Sequence, residues 1–153
     1  MKLYLIQHAQ AKSKEEDPQR PLTDEGRENI KKVADHVSRF SLDIAEVWHS
    51  GKLRAKETAE ILAKALNISD RLRQYPNLTP NDNVIPVKER LMEITENLAI
   101  VGHLPFLDKL ASLLLCNSQE ARIISFAMGG IVCLNRDQED NWSIEWMIVP
   151  DIV

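Results

Sequence analysis

Two histidines and two arginines are the residues of this chain whose types and positions could support chemistry. His8 and His103 each follow directly on an apolar run, Arg20 lies in the polar segment after His8, and Arg54 lies near the start of a predicted helix. Side chains at strand ends and helix starts can converge on one edge of an α/β sheet. Arginine is not a metal ligand, but its planar guanidinium matches phosphate oxygens with paired hydrogen bonds. The set therefore favours a phosphate site over a metal site.

Each of these side chains also has an ordinary structural interpretation. A histidine that ends a strand can make its hydrogen bonds to the backbone alone, and an arginine near a helix start can be a solvated surface residue. Helix N-termini attract anions, which suits a phosphate near Arg54, although cations usually prefer the other end of a helix. The pattern of a buried strand that ends in a histidine occurs twice, and this repetition favours a functional site.

The elements that would position these residues follow from the spacing of apolar residues. Near-continuous apolar runs predict buried strands at Leu3 to Gln7, Ile44 to His49 and Leu98 to Gly102. Helical spacing predicts an amphipathic helix after each strand, with these residues facing inward: Ile30, Val33, Ala34, Val37 and Phe40, then Ile61, Leu62, Ala65 and Leu66, and finally Leu107, Leu110, Ala111 and Leu114. Pro86 is placed to begin a further helix that runs through Ile94.

The C-terminal part of the chain has a different pattern. Gly130 to Asn135 and Trp142 to Val149 resemble two strands joined by a polar turn, which predicts a hairpin. Asp70 to Val84 is rich in proline and asparagine and is predicted to be irregular, either a loop or a short extra element. The expected fold class is α/β, a three-layer sandwich whose mostly parallel central sheet has helices on both faces and an antiparallel C-terminal hairpin. We expect one domain spanning residues 1–153.

Composition narrows the class of protein. The chain is 44% hydrophobic and 27% charged with a net charge of −4, which is ordinary for a soluble protein and argues against a nucleic-acid partner. No apolar run approaches the length of a membrane span, and the chain enters its first strand at once, so we expect neither a membrane association nor a signal peptide. Cys116 and Cys133 are expected to be small buried residues in a reducing compartment. These features predict a cytoplasmic monomer.

Five motifs, taken in order, resemble the histidine phosphatase (phosphoglycerate-mutase-like) superfamily, and within it the small bacterial phosphohistidine phosphatases of the SixA type. The resemblance runs over nearly the whole chain. The motifs are Gln7-His8-Ala9, Arg20-Pro21-Leu22-Thr23 with Gly26, Ser50-Gly51-Lys52-Leu53-Arg54-Ala55-Lys56-Glu57-Thr58-Ala59, Leu78-Thr79-Pro80, and Val101-Gly102-His103-Leu104-Pro105. One such motif would be weak support, but five at sensible separations are specific.

The resemblance implies a phosphatase that works without a cofactor or a metal ion. His8 would attack phosphorus to form a covalent phosphohistidine, which water then hydrolyses. His103 and Arg54 would be the other catalytic residues, stabilising the charge of the transferring group. The residues expected to bind the phosphate are Arg20, Gln7, Arg54 and Ser50. The expected partner is a phosphohistidine-bearing protein, either a phosphotransfer domain or a phosphocarrier.

Two positions depart from the family pattern. Gln7 stands where the family usually has arginine, so one cationic phosphate contact is missing. Asn77 stands at the likely position of a glutamate that serves many members as general acid, and an amide cannot donate a proton in this role. Asp82 is the nearest candidate for a replacement acid, with the carboxylates of residues 15–17 as alternatives.

Three functions are compatible with these residues. The first is hydrolysis of phosphohistidine on a protein, favoured because missing acid machinery suits a P–N bond. The second is a general small-molecule phosphomonoesterase with the same nucleophile. The third is a weakly active or inactive phosphate-binding regulatory domain, suggested by Gln7 and Asn77. His49 could also reach the site from the end of its strand, although the motifs do not mark it.

Overall fold

Six strands form one sheet at the centre of the computed structural model, which describes residues 1–153. The strands are β1 (Lys2–Gln7), β2 (Glu46–His49), β3 (Leu72–Gln74), β4 (Leu98–Gly102), β5 (Ile131–Arg136) and β6 (Trp142–Ile148). The helices are α1 (Asp24–Val37), α2 (Leu53–Ala65), α3 (Ile85–Glu93) and α4 (Phe106–Cys116). The predicted α/β class and its C-terminal hairpin are confirmed.

The order of the strands determines where a site can form. The sheet has the order β3-β2-β4-β1-β5-β6. The first four strands in that order are parallel to one another, whereas β5 pairs antiparallel with both β1 and β6. β1 and β4 lie side by side in the middle, and Gln7 is opposite Gly102 in their register. Their carboxyl ends therefore meet at one edge, which is where open α/β sheets bind ligands.

Helices cover both faces of this sheet. Tyr4 and Ile6 of β1 belong to a core shared with α1 and α2, whereas Leu3 and Leu5 belong to a core shared with α3 and α4. Successive side chains of a strand point to opposite faces, so a central strand must be apolar at every position. All four side chains are at most 2% exposed. The continuous apolar run in the sequence is thus explained by burial on both faces.

The start of α1 is packed directly against the segment that follows His8. Thr23 Oγ1 accepts the N–H of Gly26 at 3.0 Å and satisfies one of the free amides at the helix start. Gly26 leaves no room for a side chain, since a Cβ there would lie 2.1 Å from the carbonyl oxygen of Gln10. Glycine at this position lets the helix approach the loop backbone.

Several sequence-based predictions are wrong in detail. α1 ends at Val37, so Phe40 falls outside the helical face and is 57% exposed. The segment predicted as a loop or a short extra element does contain such an element, β3, which extends the sheet beside β2. Cys116 is exposed because it is the last residue of α4. Cys133 is buried as predicted, and burial raises the pKa of its thiol to about 12.

The apolar faces of α2 and β6 are buried to different extents. α2 buries Ala59, Leu62 and Ala63 fully, while the predicted Ile61, Ala65 and Leu66 are half-buried and pack against the same core. In the hairpin, Trp142, Ile144, Trp146 and Ile148 alternate along the sequence, but a register shift beside Cys133 interrupts this alternation in β6, and Ile144 is left 41% exposed. No helix of the structure combines the length and the apolar character that crossing a membrane requires.

Candidate active site

The ends of the two central strands bring the two histidines together. The backbone N–H of His8 donates to the carbonyl of Gly102 at 2.9 Å, which continues the pairing of β1 and β4 by one residue. His103 follows Gly102 directly, and the centroids of the two imidazole rings are 5.1 Å apart. The convergence predicted from the two strand ends is therefore observed.

One hydrogen bond fixes which nitrogen of His8 carries the proton. His8 Nδ1 lies 2.7 Å from the carbonyl oxygen of Ala9. Because a carbonyl oxygen only accepts, Nδ1 must be the protonated nitrogen and Nε2 must hold the lone pair. Arg54 Nε donates to this Nε2 at 3.3 Å, which is consistent with that assignment. His8 thus presents its lone pair beside a guanidinium, the arrangement that a nucleophile for an anionic group requires.

Thr58 links the residue that orients His8 to the helix that carries Arg54. Its hydroxyl accepts the backbone N–H of Ala9 at 3.0 Å and donates to the carbonyl of Arg54 at 2.7 Å. The side chain is completely buried. Thr58 therefore holds Ala9 and Arg54 in a fixed relation, although its place four residues after Arg54 in the sequence indicated only a shared helix face.

The environment keeps both imidazoles neutral. Burial, opposed by the hydrogen bond to Ala9 and reinforced by the charges of Arg54 and Arg20, lowers the pKa of His8 to about 4. Burial lowers the pKa of His103 to about 3, with the charges of Arg54, His8, Lys52 and Arg20 adding to the effect. At neutral pH His8 is therefore unprotonated at Nε2 and able to attack an electrophile.

Ser50 contacts His103. Its Oγ lies 2.6 Å from His103 Nε2 and also accepts the backbone N–H of Lys52 at 3.3 Å. His103 Nδ1 is buried and has no hydrogen-bond partner. Ser50 was predicted to bind phosphate, and in the structure it fixes the orientation of His103. A role for either residue at the phosphate remains a prediction.

Arg20 is positioned by its own loop and by α2. Its backbone is in the left-handed region with φ of +52°, and its Nε donates to the carbonyl of Lys12 at 2.9 Å. Close by in the chain, the N–H of Leu22 donates to Glu57 Oε2 at 2.7 Å, and the other oxygen of Glu57 pairs with Arg27 at 2.6 Å. Glu57 therefore ties the loop to α2. No motif or spacing in the sequence predicts this contact.

A single open cleft joins the two arginines. It has a volume of about 440 Å³ and includes both guanidinium-bearing residues in its wall. Burial, followed by the charge of Arg20, lowers the pKa of Arg54 from its usual value, which indicates that the two cations are close to each other. The lining residues are Lys14, Pro18, Gln19, Arg20, Lys52, Leu53, Arg54, Thr79, Pro80 and Asn81.

Gln7 is the weakest member of the predicted set. Its backbone carbonyl accepts the N–H of Gly129 at 3.0 Å, and its side chain is half-buried. The side-chain Oε1 is buried and accepts no hydrogen bond. A carbonyl oxygen left without a donor costs stability, about 1–3 kcal/mol in general. An arginine, which is a donor only, would not create that penalty.

None of the remaining candidates lines the cleft. Asp82 Oδ2 accepts the N–H of Thr79 at 2.8 Å, so this carboxylate caps the turn that it belongs to and does not line the cleft. Asn77 is exposed with φ of +60°. His49 is 6% exposed, and its Nδ1 accepts the N–H of Gly51, which anchors the turn after β2. The structure therefore supplies no acid in the wall of the cleft.

The family model for the histidine phosphatase superfamily, branch 1, matches residues 3–79. This match covers half of the chain and includes His8, Arg20 and Arg54. The chain therefore belongs to the histidine phosphatase superfamily, a class of phosphatases.

Two individual proteins are similar to the chain in sequence over most of its length. The chain is 26% identical over 155 residues to phosphohistidine phosphatase SixA of Escherichia coli K12, covering 98% of this chain and 94% of that protein. It is 32% identical over 118 residues to an uncharacterized protein of Picosynechococcus, covering 72% of this chain and 71% of that one.

Solved structures agree with this placement. The structure of the protein histidine phosphatase SixA complexed with tungstate superposes with a TM-score of 0.87 at 25% identity, covering 99% of both chains. The alpha-ribazole phosphatase of Shigella flexneri shares the fold, with a TM-score of 0.78 at 18% identity over 98% of this chain and 97% of that one. The chain is thus similar over its full length to a phosphohistidine phosphatase, and it shares its fold with phosphatases of other substrates.

Proposed function

We propose that this protein removes phosphoryl groups from phosphohistidine on other proteins, through a covalent phosphohistidine formed on His8. The observation that carries the proposal is the state of His8. Its Nδ1–H is held by the carbonyl of Ala9, so the lone pair of Nε2 faces Arg54. A neutral nucleophile of fixed tautomer beside a phosphate-binding guanidinium suits attack on phosphorus.

In the first step, the Nε2 lone pair of His8 forms a bond to phosphorus, and the P–N bond of the substrate breaks. The electron pair of that bond stays on the substrate nitrogen. Arg54 and Arg20 balance the negative charge of the phosphoryl oxygens, which is the main help that a protein can give to phosphoryl transfer. The carbonyl of Ala9 keeps the proton on Nδ1, so the product is a cationic phosphoimidazole that is itself a good leaving group.

In the second step, a water oxygen forms a bond to phosphorus and the bond to His8 Nε2 breaks. The electron pair returns to Nε2, and the water proton leaves with phosphate or solvent. This restores neutral His8, the form that its lowered pKa of about 4 favours at neutral pH. The charge of the transferring group is met by arginines, so the proposal includes no metal ion.

The leaving group explains why the cleft can lack an acid. When the second ring nitrogen of a phosphohistidine is protonated, the imidazole leaving group departs as the neutral ring and needs no proton donor. An alkyl phosphate leaves as an alkoxide and does need one. None of the residues in the wall of the cleft is a carboxylic acid, Thr79, Pro80 and Asn81 included. This supports a P–N substrate over a phosphomonoester.

A protein-borne substrate is supported by the openness of the site and by similarity. The cleft is open to solvent and half of its lining residues are exposed, so a phosphohistidine on a folded surface could enter it. The relative that spans 98% of this chain carries the name phosphohistidine phosphatase. A phosphotransfer domain or a phosphocarrier protein is the proposed partner, and the cytoplasm is the proposed compartment.

Gln7 favours one alternative, a phosphate-binding regulatory domain with little turnover. Its side chain has an unpaired acceptor and lacks the cation that the family usually has at this position. The two functions differ in turnover. A binding domain would take up phosphate or tungstate, but it would release no phosphate from phosphohistidine beyond the uncatalysed rate.

The substrate class is tested by comparing three substrates: a histidine-phosphorylated phosphotransfer domain, phosphoramidate and a simple alkyl phosphate. We expect the first two to be hydrolysed and the third to be much slower. The control is His8→Asn, which should abolish hydrolysis of all three. Equal turnover of the alkyl phosphate would favour the small-molecule phosphomonoesterase. Turnover unaffected by His8→Asn would overturn the mechanism.

A further inference from the structure

The cleft beside His8 carries more positive charge than one phosphoryl group requires. Four of its ten lining residues are cationic, Lys14, Arg20, Lys52 and Arg54, and none is acidic. A phosphoryl group bears a charge of about −1.5 to −2 at neutral pH, which the two arginines already match. The two lysines are therefore in excess, in a chain whose net charge is −4.

Neither lysine has a partner within the protein. The ion pairs of the structure involve other side chains, and Lys14 and Lys52 are in none of them. Both side chains are exposed. Three carboxylates follow Lys14 directly in the sequence, but none of them lines the cleft. The charge of Lys52 reaches the reacting centre, because it helps to lower the pKa of His103.

The two lysines stand on different elements at the mouth of the cleft. Lys14 belongs to the loop that follows His8, and Lys52 immediately precedes α2. Long exposed side chains on separate elements do not enclose a compact ligand. They suit carboxylates distributed over a surface that approaches from outside, where complementary charge raises the rate of association and selects partners.

We infer that Lys14 and Lys52 form a docking rim for acidic residues that surround the phosphohistidine of a protein substrate. This inference rests on the proposed function and adds the chemistry of the partner surface. It assigns specificity to positions outside the set that holds the phosphoryl group. A protein substrate with carboxylates beside its phosphohistidine is then preferred over the same phosphoamino acid free in solution.

The test compares two substrates across charge-reversal variants. The substrates are a histidine-phosphorylated phosphotransfer domain with an acidic surface and free phosphohistidine. In the double variant Lys14→Glu with Lys52→Glu, we expect kcat/KM for the protein to fall about tenfold or more relative to kcat/KM for free phosphohistidine. The decrease of kcat/KM with rising salt should also be weaker for this variant than for wild type.

Lys64→Glu is the matched control. Lys64 is exposed near the far end of α2, about 18 Å along the helix from Lys52. Reversing its charge should leave kcat/KM unchanged for both substrates. A complementary test reverses the charge of acidic residues next to the phosphohistidine of the protein substrate. This change should lower kcat/KM of the wild-type enzyme to the same extent and should lower kcat/KM of the double variant little further.

The outcomes separate this inference from the proposed function. If kcat/KM in the double variant fell by the same factor for both substrates, or fell for neither, the docking rim would be overturned. His8-dependent hydrolysis would still stand. Binding of inorganic pyrophosphate is measured as a further probe. If the double variant lost this binding while its turnover of the phosphoprotein was unchanged, the docking rim would also be overturned and the lysines would be assigned to a small polyanion. Failure of wild type to hydrolyse the phosphohistidine of the protein substrate would refute the proposed function itself.

Discussion

At the scale of single residues, the chemistry of this site depends on where protons reside. Ala9 fixes the tautomer of His8, Thr58 fixes Ala9, and Ser50 fixes His103. Burial adds the second condition, since both imidazoles are held neutral. The proposed nucleophile, His8, is thus prepared before any substrate arrives, which is the preorganisation that electrostatic catalysis depends on.

The first prediction concerns the protonation of His8. In an NMR titration of the imidazole resonances, His8 should titrate near pH 4, because burial and the neighbouring arginines disfavour the imidazolium. Bound phosphate or tungstate should raise this pKa, since an anion stabilises the cationic ring. Assignment comes from the resonance lost in His8→Asn. Titration of His8 at the ordinary value of 6.5 would contradict the account.

The same shifts have a consequence for stability. The folded-state pKa values of His8 and His103 lie below those of the unfolded chain, so between about pH 6.5 and pH 3 the unfolded state binds more protons. The contribution of these groups to the free energy of unfolding is therefore present above pH 6.5 and is lost as the pH falls through that window.

The second prediction concerns Gln7. Gln7→Arg should raise turnover about tenfold to a hundredfold, because one hydrogen bond from a charged donor contributes about 1.5–3 kcal/mol. It should also remove the unpaired buried acceptor. Steady-state hydrolysis of phosphoramidate measures the effect, with Gln7→Leu as a control that removes the acceptor without adding charge. An arginine variant no faster than Gln7→Leu would show that this position does not reach the phosphoryl group.

At the scale of elements, the site depends on contacts between the loop after β1 and the helix after β2. The loop carries Arg20, the helix carries Arg54, and Glu57 connects them through the N–H of Leu22 and the side chain of Arg27. The position of Arg20 is therefore set partly from α2.

The third prediction follows from this contact. Glu57→Ala should raise KM and lower kcat/KM by about tenfold, because the loop loses a hydrogen bond to a carboxylate worth about 1.5–3 kcal/mol. Glu57→Gln retains an acceptor for Leu22 and should recover most of the activity. Steady-state kinetics and the affinity for tungstate report the change. If the alanine and glutamine variants lost activity equally, the ion pair with the exposed Arg27 would be the important contact.

The sequence predicted the strands that end in His8 and His103 because burial on both faces leaves a run of apolar residues. It could not predict β3, where two of three residues are exposed and no apolar pattern exists. The contact of Ser50 with His103 also could not be predicted, because it depends on how two side chains point across neighbouring strands. Phe40 was misplaced because apolar spacing continued past the end of the helix.

At the scale of the whole molecule, the end of the sheet opposite the site is closed by Arg136. This side chain is only 7% exposed and donates to the carbonyls of Leu91 and Ile94 at the end of α3. The N-terminal amine donates to the carbonyl of Arg136 in turn. One buried arginine therefore joins the hairpin, the first strand and α3, and it does so far from the chemistry.

The fourth prediction uses this separation. Arg136→Ala should lower the free energy of unfolding by about 3 kcal/mol, because it leaves buried carbonyls without a charged donor. Urea denaturation measures the loss, and the activity of the folded protein should not change. The matched control is Arg90→Ala, an exposed ion-paired arginine on α3, which should change stability by less than about 1 kcal/mol. Equal effects of the two variants would refute a special role for the buried arginine.

The covalent intermediate is the central claim, and trapping it is the most direct test. Wild type is mixed briefly with a 32P-labelled phosphohistidine protein, quenched in alkali, where phosphohistidine survives, and digested for mass spectrometry. We expect label on the peptide that contains His8, decay of that label as phosphate is released, and no label in His8→Asn. Label on another residue, or full-rate hydrolysis by His8→Asn, would contradict the claim.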